Sequence, residues 1–180
     1  MPTEISGSTG VNKIQDNTIV NADINSSAAI AGSKISGSFG KVLQVVHANT
    51  SSEVGMTGTS YADIGLTATI TPSNSSNKVL IQASIPVRKR VITSGSSNDN
   101  SAHLKLVRGS TDLTEFGRYV CWNDTSSWNQ ETVTITWLDS PSTTSATAYK
   151  IQMKGVVSGN YVYSNHDSSL STIALMEIAG

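Results

Sequence analysis

Alternating apolar and polar residues dominate the chain from about residue 41 to its end. The clearest run covers residues 79–87, and its period of two predicts a β-strand with one buried face. Pro86 lies within this run and lacks a backbone N–H, so it predicts a strand end or the edge of a sheet. The apolar face of the run consists of Val79, Ile81, Ala83, Ile85 and Val87.

Similar short runs recur through the same region, with clusters of Ser, Asn, Gly and Pro between them. Such clusters are typical of turns, as in residues 71–77, 94–98 and 140–142. We therefore predict eight or nine strands and an all-β fold, an antiparallel β-sandwich of the jelly-roll type. The other expected inward positions are Leu66, Ala68, Ile70, Leu104, Leu106, Val133, Ile135, Trp137, Tyr149, Ile151 and Met153.

The first forty residues follow a different pattern, in which isoleucines recur about every five residues. An amphipathic helix or a coiled coil would alternate spacings of three and four, so neither fits. The intervening residues are mostly small and polar and give a single chain too little apolar surface to fold on. We predict an extended N-terminal anchor or shaft over residues 1–40, in which several chains bury their isoleucines jointly, and a sandwich head over residues 41–180. The alternative is an unstructured tail with accidental spacing. The predicted anchor residues are Ile14, Ile19, Ile24, Ile30 and Ile35.

Composition and charge narrow the classes of partner. The 180-residue chain is 37% hydrophobic with a net charge of −1, so we expect no nucleic acid bound through its phosphates. The single cysteine, Cys121, excludes an intramolecular disulfide. No apolar stretch approaches the roughly 18 residues of a membrane span, and residues 1–10 do not form a signal peptide. We expect synthesis in the cytoplasm without membrane insertion.

Low-complexity phrases occur in both regions of the chain. In the N-terminal region, here called the arm, they cover residues 5–16, 19–25 and 28–35. In the rest of the chain, here called the body, they cover residues 40–46, 69–72, 106–110, 139–141, 149–152 and 174–180. The arm phrases resemble the N-terminal segments of tailed-bacteriophage fibre proteins. The body phrases resemble a small β-sandwich module of phage virion proteins. The resemblance covers nearly the whole chain and identifies a structural class better than a position on the particle.

The resemblance implies a homotrimer whose heads are similar to the trimeric jelly rolls of the tumour-necrosis-factor and C1q type. It implies a virion location, as a short tail or head fibre held by other virion proteins of capsid or tail through its arm. The head would then contact the host surface, where a glycan is a candidate ligand. Because long tail fibres usually have several hundred residues, a capsid decoration or cement protein is the alternative. A carbohydrate-binding module or glycan hydrolase is a third hypothesis.

The candidates for catalysis are weak, so we expect no enzyme activity, no cofactor and no metal. Residues 32–37 lack the lysine of a phosphate loop, since Ser38 follows. Cys121 shares no recognisable spacing with a histidine base, and the three histidines are too far apart for a typical metal motif. The carboxylate pairs Asp112 with Glu115 and Asp124 with Glu131 carry no distinguishing feature of a glycosidase and fit solvated turns.

The segment 119–129 is the strongest binding candidate, because it holds two of the three tryptophans among polar residues outside any clean alternation. Aromatic rings that stack on sugars beside hydrogen-bonding Asn and Asp would suit a glycan site. A protein or trimer contact and a role in the core are equally open alternatives. Arg88, Lys89 and Arg90 form the only basic triplet, which fits a solvated strand end better than a phosphate contact. The candidate binding residues are Tyr119, Trp122, Asn123, Asp124, Trp128 and Asn129.

Overall fold

The computed structural model describes residues 41–90, 101–122 and 128–180, which form an antiparallel β-sandwich. The all-β prediction is confirmed. These residues contain ten strands where eight or nine were expected, because β2 and β9 are only three and four residues long. The strands are β1 (Val42–Thr50), β2 (Val54–Met56), β3 (Ala62–Ile70), β4 (Lys78–Arg90), β5 (Ala102–Arg108), β6 (Thr111–Val120), β7 (Trp128–Asp139), β8 (Thr147–Gly155), β9 (Tyr161–Ser164) and β10 (Ser171–Ile178), with a 3₁₀ turn at His166–Ser168.

The strands form two sheets. Sheet A has the order β1-β10-β4-β9-β2, and β7 pairs with the other edge of β4. Sheet B has the order β3-β8-β5-β6. When the short strands β2 and β9 are set aside, each sheet has four strands. The order β1-β10-β4-β7 in sheet A and the order β3-β8-β5-β6 in sheet B together are the strand arrangement of a jelly roll. Among the described residues, no helix has the length and apolar character to span a bilayer.

The core lies between the sheets and is built from the alternating positions that the sequence indicates. Val79, Ile81, Ile85 and Val87 are fully buried, and Ala83 nearly so, because β4 crosses the centre of sheet A. Sheet B supplies the opposing layer, and Val133 and Trp137 of β7 pack against the margin of the same core. The buried residues of sheet B include Ile64, Leu66, Ile70, Leu104, Leu106, Tyr149, Ile151 and Met153.

Pro86 marks a change of partner strand within β4, so the prediction of a strand end or sheet edge was wrong. On one side, β4 pairs with β10 up to Ser84 and with β9 from Val87. The Pro86 carbonyl accepts a hydrogen bond from the N–H of Asn165 at 3.2 Å on that side. The N–H that proline lacks would point to the same side, into the space between the β10 pairing and the β9 pairing. Its absence therefore removes no hydrogen bond between paired strands.

A buried carboxylate, Glu177, joins the C-terminal strand to the loop between β3 and β4. Glu177 is 1% exposed. Its Oε1 accepts hydrogen bonds at 2.7 Å from both the N–H and the Oγ of Ser73, and its Oε2 accepts one at 2.6 Å from Gln44 Nε2. Burial opposes ionisation, but hydrogen bonds from Gln44, Asn77 and Ser73 outweigh it and lower the pKa of Glu177 to about 2. The group is therefore a stable buried anion.

A second polar network connects the two sheets. Asp139 ends β7 in sheet A, and its Oδ2 accepts a hydrogen bond at 2.7 Å from Arg108 of β5. The same oxygen accepts a hydrogen bond at 2.7 Å from the hydroxyl of Tyr149, a fully buried residue of β8. Burial and the neighbouring Asp139 raise the pKa of Tyr149, which stays a donor.

Candidate functional site

The outer face of sheet A carries a row of apolar side chains that crosses four strands. Val45 of β1 pairs with Met176 of β10, Met176 with Leu80 of β4, and Leu80 with Leu138 of β7. Val45 is 61% exposed and Leu138 is 52% exposed. We call these four residues the apolar row. Neighbouring strands lie about 4.8 Å apart, so the row is about 14 Å wide.

The face beyond the apolar row is polar but uncharged. From Gln82 to Pro86 along β4, and at the neighbouring positions of β1, β7 and β10, the outward residues include no Lys, Arg, Asp or Glu, whereas Lys78 is exposed on this face on the other side of the row. A shallow depression of about 350 Å³ lies here. Its outward lining residues are His47, Gln82, Ser84, Thr134, Thr136, Thr172 and Ala174.

The outer face of sheet B has the opposite character, because ion pairs cover it. Lys105 lies 2.9 Å from Asp112, and Lys150 lies 3.0 Å from Asp63. Although burial opposes ionisation of Asp63, hydrogen bonds from Gln152 and Lys150 lower its pKa. Interface cores are depleted of charge, so sheet A offers the face better suited to a protein contact.

The far end of the outer face of sheet A carries a cluster of aromatic and arginine side chains. Trp128, the first residue of β7, is 45% exposed. The Arg88 guanidinium carbon lies 3.9 Å from the centroid of its ring, and that of Arg90 lies 5.1 Å away. Both arginines point outward from β4, since each pairs with β7 and β9 residues of the same face. We call Arg88, Arg90, Trp128, Tyr161, Tyr163 and His166 the aromatic–arginine cluster.

Tyr161 and Tyr163 supply the β9 side of the cluster. Their ring centroids lie 5.7 Å apart and their planes are within 7° of parallel. Residues at i and i+2 of a strand share a face, which places both rings outward. Tyr163 lies over β2 at Gly55, where a Cβ would come within 2.8 Å of Tyr163 Cε1. Gly55 therefore leaves the space that the tyrosine ring occupies.

The 3₁₀ turn brings His166 onto the cluster. The His166 ring stacks on Trp128 at a centroid distance of 5.6 Å, and its Nδ1 contacts Glu53 Oε2. Asp167 lies 3.3 Å from Arg88. Asn165, which precedes the turn, has a positive φ and is fully buried, and its Nδ2 donates to the Ser52 carbonyl at 2.9 Å. Because Asn tolerates the left-handed region and here has fixed partners, the turn is well anchored.

The predicted binding residues do not all lie together. Tyr119 is the last residue but one of β6 in sheet B, where its ring contacts His103 edge-on at 5.2 Å. Trp122 follows and is exposed. Trp128 and Asn129 are consecutive in β7 and point to opposite faces, so of these two only Trp128 belongs to the cluster. Asn123 and Asp124, and the predicted anchor isoleucines Ile14, Ile19, Ile24, Ile30 and Ile35, lie outside the described residues.

The basic triplet does not form one solvated face, contrary to our expectation. Arg88 and Arg90 point outward, whereas Lys89 is fully buried on the inner side. The strand period of two separates them. Sequence reasoning also missed Tyr163 and His166 as partners of Trp128. The i and i+2 spacing indicates that the two arginines share one face of their strand and that the two tyrosines share one face of theirs. The register that pairs Arg88 with Tyr163 cannot be read from the sequence near either residue.

Three of the residues considered for catalysis, Cys121, Asp112 and Glu115, have structural partners, and Asp124 lies outside the described residues. Burial raises the pKa of Cys121 to about 12, and its Sγ donates to the Val87 carbonyl at 3.3 Å, so the thiol is protonated at neutral pH. Asp112 pairs with Lys105, and Glu115 lies 3.7 Å from Arg118. In the described part of the chain, no group of three or more His, Cys, Asp or Glu side chains is placed to hold a metal ion.

Neither a scan against protein-family models nor a search of curated proteins found a match to this chain.

Proposed function

We propose that the protein is a phage virion structural protein, a short tail or head fibre with a homotrimeric head. Residues 1–40 hold it to other virion proteins of capsid or tail, and the head contacts the host surface. The virion assignment and the number of subunits rest on the resemblance of the sequence phrases. The face through which the subunits associate, and the end that reaches the host, are inferred from the arrangement of the sandwich.

The observation that carries this proposal is that the attachment end and the aromatic–arginine cluster lie at opposite ends of sheet A. Lys41 begins the described head and its carbonyl accepts a hydrogen bond from the N–H of Ala179 at 3.0 Å. Val42 pairs with Ile178, and Ile178 pairs with Lys78, the first residue of β4. The cluster surrounds Arg90, the last residue of β4. At about 3.3 Å per residue, the two ends are about 40 Å apart.

The outer face of sheet A supports self-association. The apolar row, exposed at Val45 and Leu138, lies between Lys78 and an uncharged surface, whereas the outer face of sheet B carries ion pairs. An apolar row of this width in contact with water is unfavourable, and burial against copies of the same chain removes it. Closed rotational symmetry buries the same face in every subunit.

Electron microscopy of the phage that encodes the chain tests this proposal. An antibody raised against residues 41–180 and labelled with gold should mark fibres that project from the particle. Label distributed evenly over the capsid shell would contradict the fibre and support the decoration protein. Particles that carry no label, while the lysate contains the protein, would overturn the virion assignment.

A further inference from the structure

We propose that the aromatic–arginine cluster binds an acidic saccharide. In this site the aromatic rings pack against the sugar, and Arg90 pairs with its carboxylate or phosphate group. This inference rests on the proposed function, since it names the ligand class for the end of the head that faces the host. It moves the binding site from the segment 119–129 to side chains of β4, β7, β9 and the 3₁₀ turn.

The aromatic part of the cluster suits the apolar faces of sugar rings. Trp128 leaves almost half of its surface in water, although its ring also contacts Arg88 and His166. The parallel rings of Tyr161 and Tyr163 extend the aromatic surface along β9, and each ends in a hydroxyl that can donate or accept a hydrogen bond. Aromatic residues with polar ends provide large contact area at low cost in side-chain entropy.

Arg90 supplies the charge that selects an acidic ligand. Arg88 is already engaged with Asp167 and with the face of Trp128. Arg90 is exposed, and the ion pairs formed among the described residues do not include it. Its guanidinium lies close to the Trp128 ring and has a planar fork of N–H donors that matches a carboxylate or a phosphate.

Two acidic residues beside the cluster favour a sugar over a polyanion such as nucleic acid. Asp167 is largely exposed beside Arg88, and Glu53 contacts His166. Two carboxylates within the site would repel a run of phosphates, whereas they accept hydrogen bonds from hydroxyl groups. An arginine that forms no ion pair with the described residues, beside several acceptors, therefore fits a ligand with many hydroxyls and an isolated negative charge.

The site is formed before the ligand arrives. Gly55 leaves space for the Tyr163 ring, and buried Asn165 fixes the turn that positions His166. Ordered side chains lose less entropy on binding, which favours affinity.

A saccharide array tests the inference directly. The full-length protein is applied to two pairs of immobilised oligosaccharides. The first pair compares oligosaccharides that contain uronic acids with their methyl esters. The second pair compares phosphorylated bacterial core oligosaccharides with their dephosphorylated forms. We expect binding to one or more acidic members and at least tenfold weaker binding to the neutral counterpart. The two pairs distinguish a carboxylate from a phosphate as the anionic group.

Matched substitutions locate the site. Arg90→Gln and Trp128→Ala should each weaken the acidic interaction by about tenfold or more, and Arg90→Lys should restore only part of it. Arg118→Gln removes an exposed arginine of sheet B and should leave binding unchanged, as should Trp122→Ala. Melting curves verify that each variant is folded. Because Arg90 is exposed, Arg90→Gln should fold and can test the site even if Trp128→Ala does not fold.

The outcomes separate this inference from the proposed function. Absence of binding to every acidic saccharide, equal binding to the neutral forms, or binding unaffected by Arg90→Gln and Trp128→Ala would overturn the acidic-saccharide site. Gold label on projecting fibres would still support the virion fibre in that case. Acidic-saccharide binding by a protein that does not label the particles would support the site and contradict the fibre.

Discussion

Replacing Glu177 with Gln should remove most of the stabilisation that the buried carboxylate provides near neutral pH. Glutamine keeps the shape, but its amide has one acceptor oxygen in place of two. Its NH₂ group would face the donating Nε2 of Gln44, unless the Gln44 amide turns and loses its 2.7 Å hydrogen bond to the Thr71 carbonyl. A buried donor without an acceptor is costly.

The magnitude follows from the pKa of the carboxyl group. Its pKa falls from the ordinary 4.5 to about 2 in the folded protein. At about 1.36 kcal/mol for each pKa unit, the ionised form adds about 3 kcal/mol to the free energy of unfolding. Because the folded pKa is the lower one, this contribution is complete above about pH 4.5 and is lost as the pH falls toward 2. The difference between wild type and Glu177→Gln should therefore be largest at pH 7 and shrink toward pH 2.

Urea unfolding followed by circular dichroism, at one fixed protein concentration, measures the difference from pH 7 to pH 2.5. Glu131→Gln is the matched control, because Glu131 is exposed on β7 and its described hydrogen-bond partner is Asn129 at 3.4 Å. The control should follow wild type at every pH. A Glu177→Gln curve within about 0.5 kcal/mol of wild type throughout would refute the reasoning, since the buried anion would then contribute nothing.

Three further predictions concern the association face, the inter-sheet network and the buried thiol. Leu138→Glu places a charge in the apolar row and should convert the proposed trimer to monomers in gel filtration. Leu170→Glu changes an equally exposed leucine outside the row and should leave the oligomeric state unchanged. If both variants had the same oligomeric state, the outer face of sheet A would not be the association face. Tyr149→Phe removes the hydrogen bond to Asp139 and should lower the free energy of unfolding by about 1–2 kcal/mol in urea titrations, whereas an unchanged midpoint would show that the bond is not stabilising. Cys121 should resist alkylation by iodoacetamide at pH 8 until urea unfolds the protein, as measured by mass spectrometry. Rapid alkylation of the native protein would disprove the burial of this thiol.

The sequence predicted the core better than the surface sites, for a physical reason. The alternation of Val79, Ile81 and Ile85 reports a local period of two, and burial follows once that face meets another sheet. Strand register depends on pairings distant in sequence. Nothing near Arg88 indicates that β9 will place Tyr163 beside it. Turn composition likewise could not show how closely residues 165–168 approach Trp128.

Lys89 illustrates the limit of reading charge from composition. A basic triplet at a strand end is usually solvated, but the pleat turns the middle residue inward and buries it. Trp128 was identified as a candidate from its polar surroundings in sequence. Its contacts are instead with β4, β9 and the 3₁₀ turn, which the fold brings to it.

The most direct test of the central claim is the solution mass of the full-length protein, measured by light scattering during gel filtration. Each chain has a mass of 18.9 kDa. A head that associates through the outer face of sheet A into a closed homotrimer predicts a single species of about 57 kDa, three times the chain mass. A species of about 19 kDa at the same concentrations would contradict the trimeric fibre head and leave the apolar row exposed to solvent.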